Sequence, residues 1–360
     1  MKVALIARSS LYETSGGDTT QVLKTAAELQ KRGISAEVFL SSQKIPHKDF
    51  DLLHFFNIIR PADHLYHIKK SRKPYLVSTI YLDYSEFDRF GRGLFSSHLL
   101  KILGRSKSEY IKNVLRYVRK QDRLVSREYL LGHKRSMQKV LENASMILPN
   151  SASEYRRLSY DLNVEVPYHV VPNGIDAGVF GKKPEGIRRE QKVICVAQVY
   201  GMKNQHALIE VCNALDVPLE IIGKAPPNHK KYYDYCRRIA SNKVKFYDFM
   251  PQEDLVKHYA SAKVHALPSW FETTGLSSLE AGAMGCNLVV GAGGDTRDYF
   301  DGIAHFCSAD DMKSIQIAVE KALTEDVNPE VRNKILSEFT WKRAAEATLS
   351  AYKKVMNNES

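Results

Sequence analysis

The chain of 360 residues is long for a single hydrophobic core, so two domains are expected. A hydrophobic fraction of 44% with 10% aromatic residues indicates a fully globular protein, and the lack of an apolar run near 18 residues argues against a membrane-spanning segment. The net charge of +11 indicates an anionic partner, which charge alone leaves open as nucleic acid, a membrane surface or a phosphorylated substrate.

The chain begins with the pattern of an α/β domain. A buried strand is predicted at Val3 to Ala7, a helix at Thr19 to Lys31 and a second strand at Ala36 to Leu40. The loop before the helix contains Gly16 and Gly17 but lacks the dinucleotide fingerprint and the Walker lysine, which disfavours nicotinamide or ATP. Two adjacent glycines let backbone amides approach a ligand closely; an ordinary loop is the alternative.

Two further strands are predicted at Leu52 to Phe56 and Tyr75 to Ile80, and the second leads directly into Tyr81 and Asp83. Polar groups at the end of such a strand face the crevice of an α/β sheet. Tyr81 and Asp83 are therefore candidates to touch an acceptor hydroxyl, with helix capping by Asp83 as an alternative. Nearby histidines lack metal-ligand spacing and are interpreted as packed or surface residues.

Residues 94–141 differ from the rest of the domain in charge. Between Lys101 and Lys139 there are twelve Lys or Arg residues against three acids. Apolar residues recur within this stretch at roughly helical spacing, which predicts basic amphipathic helices. Basic amphipathic helices suit an anionic membrane surface. A solvated face on helices packed into the domain is the alternative, and nucleic acid is disfavoured because no known binding motif accompanies the charge.

The composition divides the chain into domains at residues 1–172 and 192–339, with a charged, glycine- and proline-containing linker at 173–191. Strands alternate with helices in the second part as well, starting with the strand Lys192 to Val199. This alternation predicts an α/β fold of two Rossmann-like, doubly wound domains facing across a cleft. Lys203 follows a strand end and could reach a diphosphate there; a surface lysine is the alternative.

The stretch from Pro268 to Phe300 holds two glutamates, Glu272 and Glu280, around a turn that opens a helix at Gly275. The amino end of a helix in such a crevice attracts phosphate through its free amides and dipole. Carboxylates accept hydrogen bonds from vicinal hydroxyls, so one glutamate could hold a sugar and the other a ribose, with a diphosphate between them. That pattern describes a nucleotide sugar. A helix-dipole role for both glutamates is the alternative.

The five cysteines are scattered through the second half of the chain without any CxxC pair. This distribution favours reduced thiols over a disulfide framework or a zinc site. The apolar start is too short for a signal peptide and is followed at once by Arg8 and Ser9. A cytoplasmic location is therefore expected, and peripheral attachment to the inner face of the cytoplasmic membrane is left open.

Several motifs together resemble the family 4 retaining glycosyltransferases of the GT-B fold over nearly the whole chain. They stand in the family's order, and they are Gly16-Gly17, Val171-Pro172-Asn173-Gly174-Ile175-Asp176, Lys203-Asn204, Glu272 through Leu279-Glu280-Ala281, Gly293-Gly294 and Phe339-Thr340-Trp341.

The resemblance implies transfer of a hexose from a nucleotide-diphosphate sugar, without a cofactor or bound metal and by a front-face mechanism. It implies that Glu272 contacts the hexose, Glu280 the ribose, and the amides of Thr274-Gly275-Leu276 the diphosphate. Lys203 would neutralise the leaving group. The helix at 340–358 would join the N-terminal, acceptor-binding domain.

Two positions depart from the family pattern. Gln198 stands where an arginine is usual, which removes one positive charge from the expected diphosphate site, and Tyr81 stands where many members carry a histidine. Subfamily variation is favoured because Lys203, Glu272 and Glu280 remain. The rival hypotheses are a weak GT-B protein that binds nucleotide sugar or phospholipid without turnover, and a sugar-nucleotide epimerase.

The acceptor is inferred indirectly. A basic, non-spanning glycosyltransferase with an amphipathic patch fits a glycan or lipid-linked acceptor in bacterial surface polysaccharide or glycolipid synthesis. A soluble acceptor remains open.

Overall fold

A computed structural model describes residues 1–13, 16–82 and 132–357. Within these ranges the chain forms two compact units. Unit 1 contains Met1–Tyr81, the described part of Ser97–Asn173 and the C-terminal segment from Trp341; unit 2 contains Gly174–Thr340.

Unit 1 is built on a parallel sheet with the strand order β2-β1-β3-β4-β5. Its strands are β1 (Lys2–Ala7), β2 (Ser35–Leu40), β3 (Leu52–Phe56), β4 (Tyr75–Ser78) and β5 (Met146–Leu148). Its helices are α1 (Gly17–Gln30), α2 (Pro61–Ser71), α3 (His133–Glu142), α4 (Ala152–Leu162) and the C-terminal α13 (Trp341–Asn357), numbered along the described residues. Five of the six residues of β1 are buried, as expected when helices cover both faces of a parallel sheet.

The C-terminal helix α13 is fixed to the sheet of unit 1 by a series of buried side-chain hydrogen bonds. The Tyr352 hydroxyl lies 2.7 Å from Nδ1 of His54 on β3, and Nε2 of His54 lies 2.9 Å from Oγ of Ser78 on β4. Burial lowers the pKa of His54 to about 3, so the imidazole is neutral and serves as a hydrogen-bonding spacer. His54, His64 and His67 are all buried, so of the two predicted alternatives, packed or surface, they are packed.

Unit 2 contains a parallel sheet with the strand order β11-β10-β9-β6-β7-β8. Its strands are β6 (Glu190–Val196), β7 (Leu219–Ile222), β8 (Val244–Tyr247), β9 (Ala262–Leu267), β10 (Asn287–Gly291) and β11 (His305–Cys307). Its helices are α5 (Ala177–Phe180), α6 (Gln205–Ala214), α7 (Lys230–Ile239), α8 (Gln252–Ser261), α9 (Leu276–Ala283), α10 (Thr296–Phe300), α11 (Met312–Thr324) and α12 (Pro329–Glu338).

The predicted α/β class is confirmed, and both sheets are doubly wound. In each of them the strand order reverses once, between β1 and β3 in unit 1 and between β6 and β9 in unit 2. Loops that follow the two strands at such a reversal lead away in opposite directions and leave a crevice at the carboxyl edge of the sheet.

The segment predicted as a linker, 173–191, contributes to the core of unit 2. Ile175 and Phe180 are 1% and 0% exposed, and the Ile175 amide donates to the Phe339 carbonyl at 2.9 Å. Gly174 lies so close to the Thr340 backbone that a Cβ would come within 2.4 Å of it. The polar composition correctly indicates where the chain enters unit 2, but it gave no sign that Ile175 and Phe180 would be buried in the core of that unit.

All five cysteines are unbridged, as the sequence predicts, and all five are buried. Burial raises the pKa of the Cys195, Cys212, Cys236 and Cys307 thiols to about 12, so they are packed as protonated apolar groups.

Candidate functional site

Two loops of unit 2 meet at the strand reversal between β6 and β9. One follows β6 and ends in the 3₁₀ turn Gly201–Lys203, and the other runs from Pro268 to Gly275 after β9. The Trp270 amide donates to the Met202 carbonyl at 2.9 Å, which ties the two loops together. The crevice expected from the topology is thus lined by the loops that carry the predicted site residues.

Lys203 and Glu272, one from each loop, form an ion pair between Nζ and Oε1. The two side chains are 17% and 13% exposed, so the pair lies at the surface of the crevice but is largely shielded. Asn204, in the left-handed conformation with φ 58°, donates from Nδ2 to the Ala309 carbonyl at 2.8 Å and fixes the turn that presents Lys203. An anion entering this crevice would compete with Glu272 for the ammonium group.

The loop that carries Glu272 lies against the backbone after β10. The Glu272 amide donates to the Gly293 carbonyl at 3.3 Å, and the Asp295 amide donates to the Glu272 carbonyl at 2.8 Å. A Cβ on Gly293 would stand 2.0 Å from the Trp270 carbonyl oxygen. On Gly294, with φ +85°, it would stand 2.2 Å from the Glu272 carbonyl oxygen. The two glycines allow the two backbones to pack in direct contact.

Substitution of Gly293 by alanine is expected to destabilise unit 2 by about 1–3 kcal/mol, because the added methyl group has no room without a backbone shift. The same shift displaces Glu272, so activity should fall as well. Chemical denaturation together with turnover assays measures both effects. Glu338→Ala is the control, since Glu338 is an exposed residue of α12 in the same unit. A Gly293→Ala variant with wild-type stability and activity would contradict the contact.

Glu280 lies in α9, one turn past its start, and is only 8% exposed. Its Oε1 accepts a hydrogen bond from Gln252 Nε2 at 2.6 Å, and its Oε2 accepts one from the Tyr259 hydroxyl at 3.1 Å. Burial, and next the charge of Glu280, raise the pKa of Tyr259 well above its ordinary value, so the phenol stays a donor. These bonds hold a buried carboxylate at the crevice edge. Sequence reasoning missed Gln252 and Tyr259 because only the fold brings α8 against α9.

The helix α9 begins at Leu276 after Gly275, whose φ of 77° is left-handed. The Ser278 and Leu279 amides donate to the Gly275 carbonyl at 2.9 and 3.1 Å. Diphosphate binding by the amides of Thr274, Gly275 and Leu276 stays a prediction. Thr274 is buried, and its hydroxyl donates to the Tyr299 hydroxyl at 3.4 Å, so its side chain anchors the turn while its backbone remains at the helix start. Gln198 is exposed in the loop after β6, where its carbonyl accepts from Gln205 Nε2 at 2.9 Å.

In unit 1 the predicted residues occupy different environments. Gly16 precedes α1 and Gly17 is its first residue. Arg8, which follows β1, forms an ion pair with Asp18 in the first turn at 2.6 Å. Tyr81 is 5% exposed in the core, and its hydroxyl donates to Asp161 at 3.0 Å. Its contact with an acceptor stays a prediction.

Asp83 and residues 94–131 of the basic stretch 94–141 lie outside the described residues.

A fully buried carboxylate that the sequence analysis missed organises the carboxyl ends of β4 and β5. Glu154 accepts hydrogen bonds from the Thr79 hydroxyl, from the Tyr81 amide at 2.8 Å and from the Asn150 amide at 2.8 Å. Ser151 caps the same helix by accepting from the Glu154 amide at 2.9 Å. The Ser-x-x-Glu spacing signals a helix start, although not the longer-range contacts of this glutamate.

Within residues 1–13, 16–82 and 132–357, no group of three or more His, Cys, Asp or Glu residues is placed to hold a metal ion. Metal independence stays a prediction. Across the same part of the chain, no helix combines the length and the apolar character required to cross a membrane.

Comparison with known proteins places these features in a family context. Residues 181–337 match the family described as glycosyl transferases group 1. The chain is 24% identical to a D-inositol 3-phosphate glycosyltransferase of Corynebacterium glutamicum, an alignment that covers 96% of this chain and 93% of that protein. It is 25% identical to an MMP alpha-(1->4)-mannosyltransferase of Mycolicibacterium hassiacum, over 52% of this chain and 48% of that protein. The chain thus spans about half the length of that mannosyltransferase.

Solved structures show the same architecture. Sucrose-phosphate synthase from Thermosynechococcus elongatus superposes with a TM-score of 0.78 at 14% identity, covering 99% of this chain and 100% of that chain. HepE from Anabaena, in complex with UDP and glucose, superposes with a TM-score of 0.68 at 13% identity, covering 98% and 100%. These similarities confirm the predicted GT-B fold.

Proposed function

Because this chain is a glycosyltransferase of the group 1 family with the GT-B fold, we propose that it transfers a hexose from a nucleotide-diphosphate sugar with retention of the anomeric configuration. The observation that carries the proposal is the meeting of Lys203 and Glu272 at the carboxyl ends of β6 and β9. A cation and a carboxylate side by side match a diphosphate joined to a polyhydroxylated ring.

Each residue then has a chemical task. The bond between the anomeric carbon and the diphosphate oxygen breaks, and the diphosphate keeps the electron pair. Lys203 and the amides at the start of α9 stabilise the charge that develops on it. The acceptor oxygen bonds to the same face of the anomeric carbon, and its proton passes to the departing phosphate oxygen. Glu272 orients the hexose hydroxyls, and Glu280 orients the ribose.

A bound donor would replace the ion pair between Lys203 and Glu272 with a new partner for each side chain. In the structure each charge of the pair stabilises the other. A bound donor offers Lys203 a phosphate and offers Glu272 sugar hydroxyls, so both side chains stay satisfied after the pair opens. A nucleoside diphosphate without a hexose would leave Glu272 without that compensation, which favours binding of the complete donor.

We propose a glycan or lipid-linked acceptor, with the protein cytoplasmic and attached peripherally to the inner membrane face. The support is the excess of basic residues between Lys101 and Lys139. Sedimentation at low salt with anionic vesicles, but not with neutral ones, is the expected result; equal behaviour with both would contradict it. The names of the relatives favour a second candidate, a small phosphorylated acceptor such as D-inositol 3-phosphate.

The Glu272→Gln substitution tests the donor assignment. Loss of a charged acceptor for sugar hydroxyls should lower kcat/KM for sugar transfer by about 10- to 100-fold, equivalent to about 1.5–3 kcal/mol. Release of nucleoside diphosphate from a labelled nucleotide sugar measures the rate. Glu320→Gln on α11 is the control, because Glu320 is exposed and its carboxylate accepts from Gln316 of the same helix at 2.9 Å.

Unchanged turnover by Glu272→Gln would remove Glu272 from the donor site. Binding without turnover by the wild type would favour the binding-only hypothesis, and an altered nucleotide sugar formed without acceptor would identify an epimerase.

A further inference from the structure

The helix α7 of unit 2 carries one exposed face that is mostly basic. Its exposed side chains are Lys230, Lys231, Asp234, Arg237 and Arg238. At 3.6 residues per turn these five positions lie within about 120° of the helix circumference. The opposite side of α7 holds Tyr232 and Cys236, which are 3% and 0% exposed in the core of the unit. The five exposed residues together form the basic face of α7.

The charge of the basic face is not neutralised by neighbouring side chains. None of its four Lys and Arg residues forms an ion pair with a residue that the structure describes. Arg237 and Arg238 lie over the rings of Phe246 and Tyr235, at 5.0 and 5.3 Å, contacts that hold a guanidinium group in place and leave its charge intact.

The position of the two lysines in α7 is unfavourable for the helix itself. Lys230 and Lys231 stand in the first turn, where the helix dipole disfavours cations, and this turn has no acidic residue. Positive charge is thus kept even at the end of α7 where it lowers helix stability. Such a conflict between a local preference and the sequence is expected at a surface with a function.

The positive charge of the protein is concentrated in two stretches, and α7 lies in one of them. Residues 224–245 contain seven Lys or Arg residues against a single acid, Asp234. The excess of six here and the excess of nine between Lys101 and Lys139 together exceed the net charge of +11, so the rest of the chain is net acidic. Of the two stretches, 224–245 is the one that the structure describes throughout.

An anionic bilayer is the partner that matches this distribution of charge. A bilayer is laterally continuous, so it attracts two separate basic stretches whatever the distance between them, whereas a small anion engages only one. Nucleic acid is disfavoured because no known binding motif accompanies the charge. Since the apolar side of α7 is already packed in the core, the contact would be made with lipid headgroups, without insertion into the acyl chains.

We infer that the basic face of α7 is a second attachment surface, through which unit 2 docks on a bilayer that contains anionic lipid. The inference adds to the attachment proposed above for the stretch between Lys101 and Lys139, and it rests on the proposed function only for the choice of partner. The interaction is electrostatic, so it is reversible and is weakened by salt. Asp234, in the middle of the face, opposes it.

Cosedimentation of the full chain at low salt with phosphatidylcholine vesicles, with and without phosphatidylglycerol, tests the basic face. Lys231→Gln/Arg238→Gln should weaken binding to the anionic vesicles by about 25-fold, because about 1 kcal/mol for each basic residue corresponds to about 5-fold. Asp234→Asn should strengthen binding by about 5-fold, by the same reasoning, and a misfolded protein would not produce that gain.

Lys313→Gln/Lys321→Gln is the matched control, because it removes the same charge from α11 of the same unit. Both lysines are exposed, and Lys321 pairs with Glu325 at 3.7 Å. Vesicle affinity should stay close to that of wild type. Losses of equal size in this control and in the α7 double variant would show that only net charge matters, and would overturn the docking surface.

The other outcomes separate this inference from the attachment proposed earlier. If anionic vesicles sediment wild type and both α7 variants equally, the basic face is not an attachment surface, while the attachment through residues 101–139 stands. Failure of anionic vesicles to sediment wild type would contradict both. If the α7 substitutions changed binding to heparin but not to vesicles, the face would recognise a soluble polyanion, and the bilayer would be the wrong partner. Thermal unfolding of each variant checks the fold.

Discussion

Lys203→Ala is expected to lower kcat for sugar transfer by about 10²- to 10³-fold, the loss typical of removing one group that stabilises charge in a transition state. The reason is positional: Lys203 stands beside Glu272, where the diphosphate is proposed to depart, and Gln198 supplies no second cation after β6. Single-turnover measurements with a labelled nucleotide sugar separate this loss in the chemical step from weaker binding.

Lys243→Ala is the matched control for Lys203→Ala. Lys243 forms a surface ion pair with Asp216 at 2.6 Å in the same unit, and its side chain is 41% exposed. Such pairs contribute about 0–1 kcal/mol to stability, so activity should be unchanged. Retention of kcat within a few-fold in Lys203→Ala would show that the lysine stabilises Glu272 rather than the leaving group.

Glu220→Ala is expected to have the opposite profile, with a loss of about 3–5 kcal/mol in the free energy of unfolding and little loss of specific activity while folded. Glu220 on β7 accepts from Lys192 Nζ at 2.9 Å and from His258 Nδ1 at 2.8 Å. Lys192 is only 8% exposed. Removing the Glu220 carboxylate therefore leaves its ammonium group without its buried partner. Both residues lie near the amino ends of their strands, away from the crevice.

The ion pair between Glu220 and Lys192 also predicts how the stability lost in Glu220→Ala depends on pH. Burial alone would raise the pKa of Glu220, but hydrogen bonds from His258 and Lys192 outweigh it and lower the pKa below 4.5. Burial alone would lower the pKa of Lys192, but the hydrogen bond to Glu220 and the charge of Glu220 outweigh burial and raise the Lys192 pKa above 10.5. The stabilisation is therefore present above the unfolded carboxyl pKa and lost as pH falls through the folded one, and at the alkaline end it is lost as pH rises through the folded Lys192 pKa.

Urea denaturation of wild type and Glu220→Ala across pH measures this stabilisation. The difference between them should be largest near neutral pH and should shrink in acid. Glu190→Ala is the control, because Glu190 is 63% exposed and lies 3.3 Å from the same lysine. Equal stability of Glu220→Ala and wild type at neutral pH would contradict the argument.

Local sequence patterns predicted most of the sheet architecture. Continuous apolar runs such as β1 and β3 are buried on both faces, which is why their extents agree closely with the predicted strands. The short strand β11 and the anchoring of 173–191 were missed, because three residues and a polar segment carry little periodic signal.

Side-chain partners were much less predictable than strands. The sequence indicated Lys203, Glu272 and Glu280 as site residues, yet their contacts depend on loops 69 positions apart and on the packing of α8 against α9. Tyr81 illustrates the limit: a polar residue after a strand can turn into the core when a buried acceptor such as Asp161 is within reach. Only the folded chain decides between the two directions.

The most direct test of the account is stabilisation of the wild-type protein by nucleotide-diphosphate sugars. At about 100 times its dissociation constant, a donor should add about 2.7 kcal/mol to the free energy of unfolding. The account predicts that at least one of UDP-, ADP- and GDP-linked hexoses raises the melting temperature of wild type and that the shift is lost in Glu280→Gln. Absence of any shift in wild type, or an equal shift in Glu280→Gln, would contradict a donor site built on this crevice.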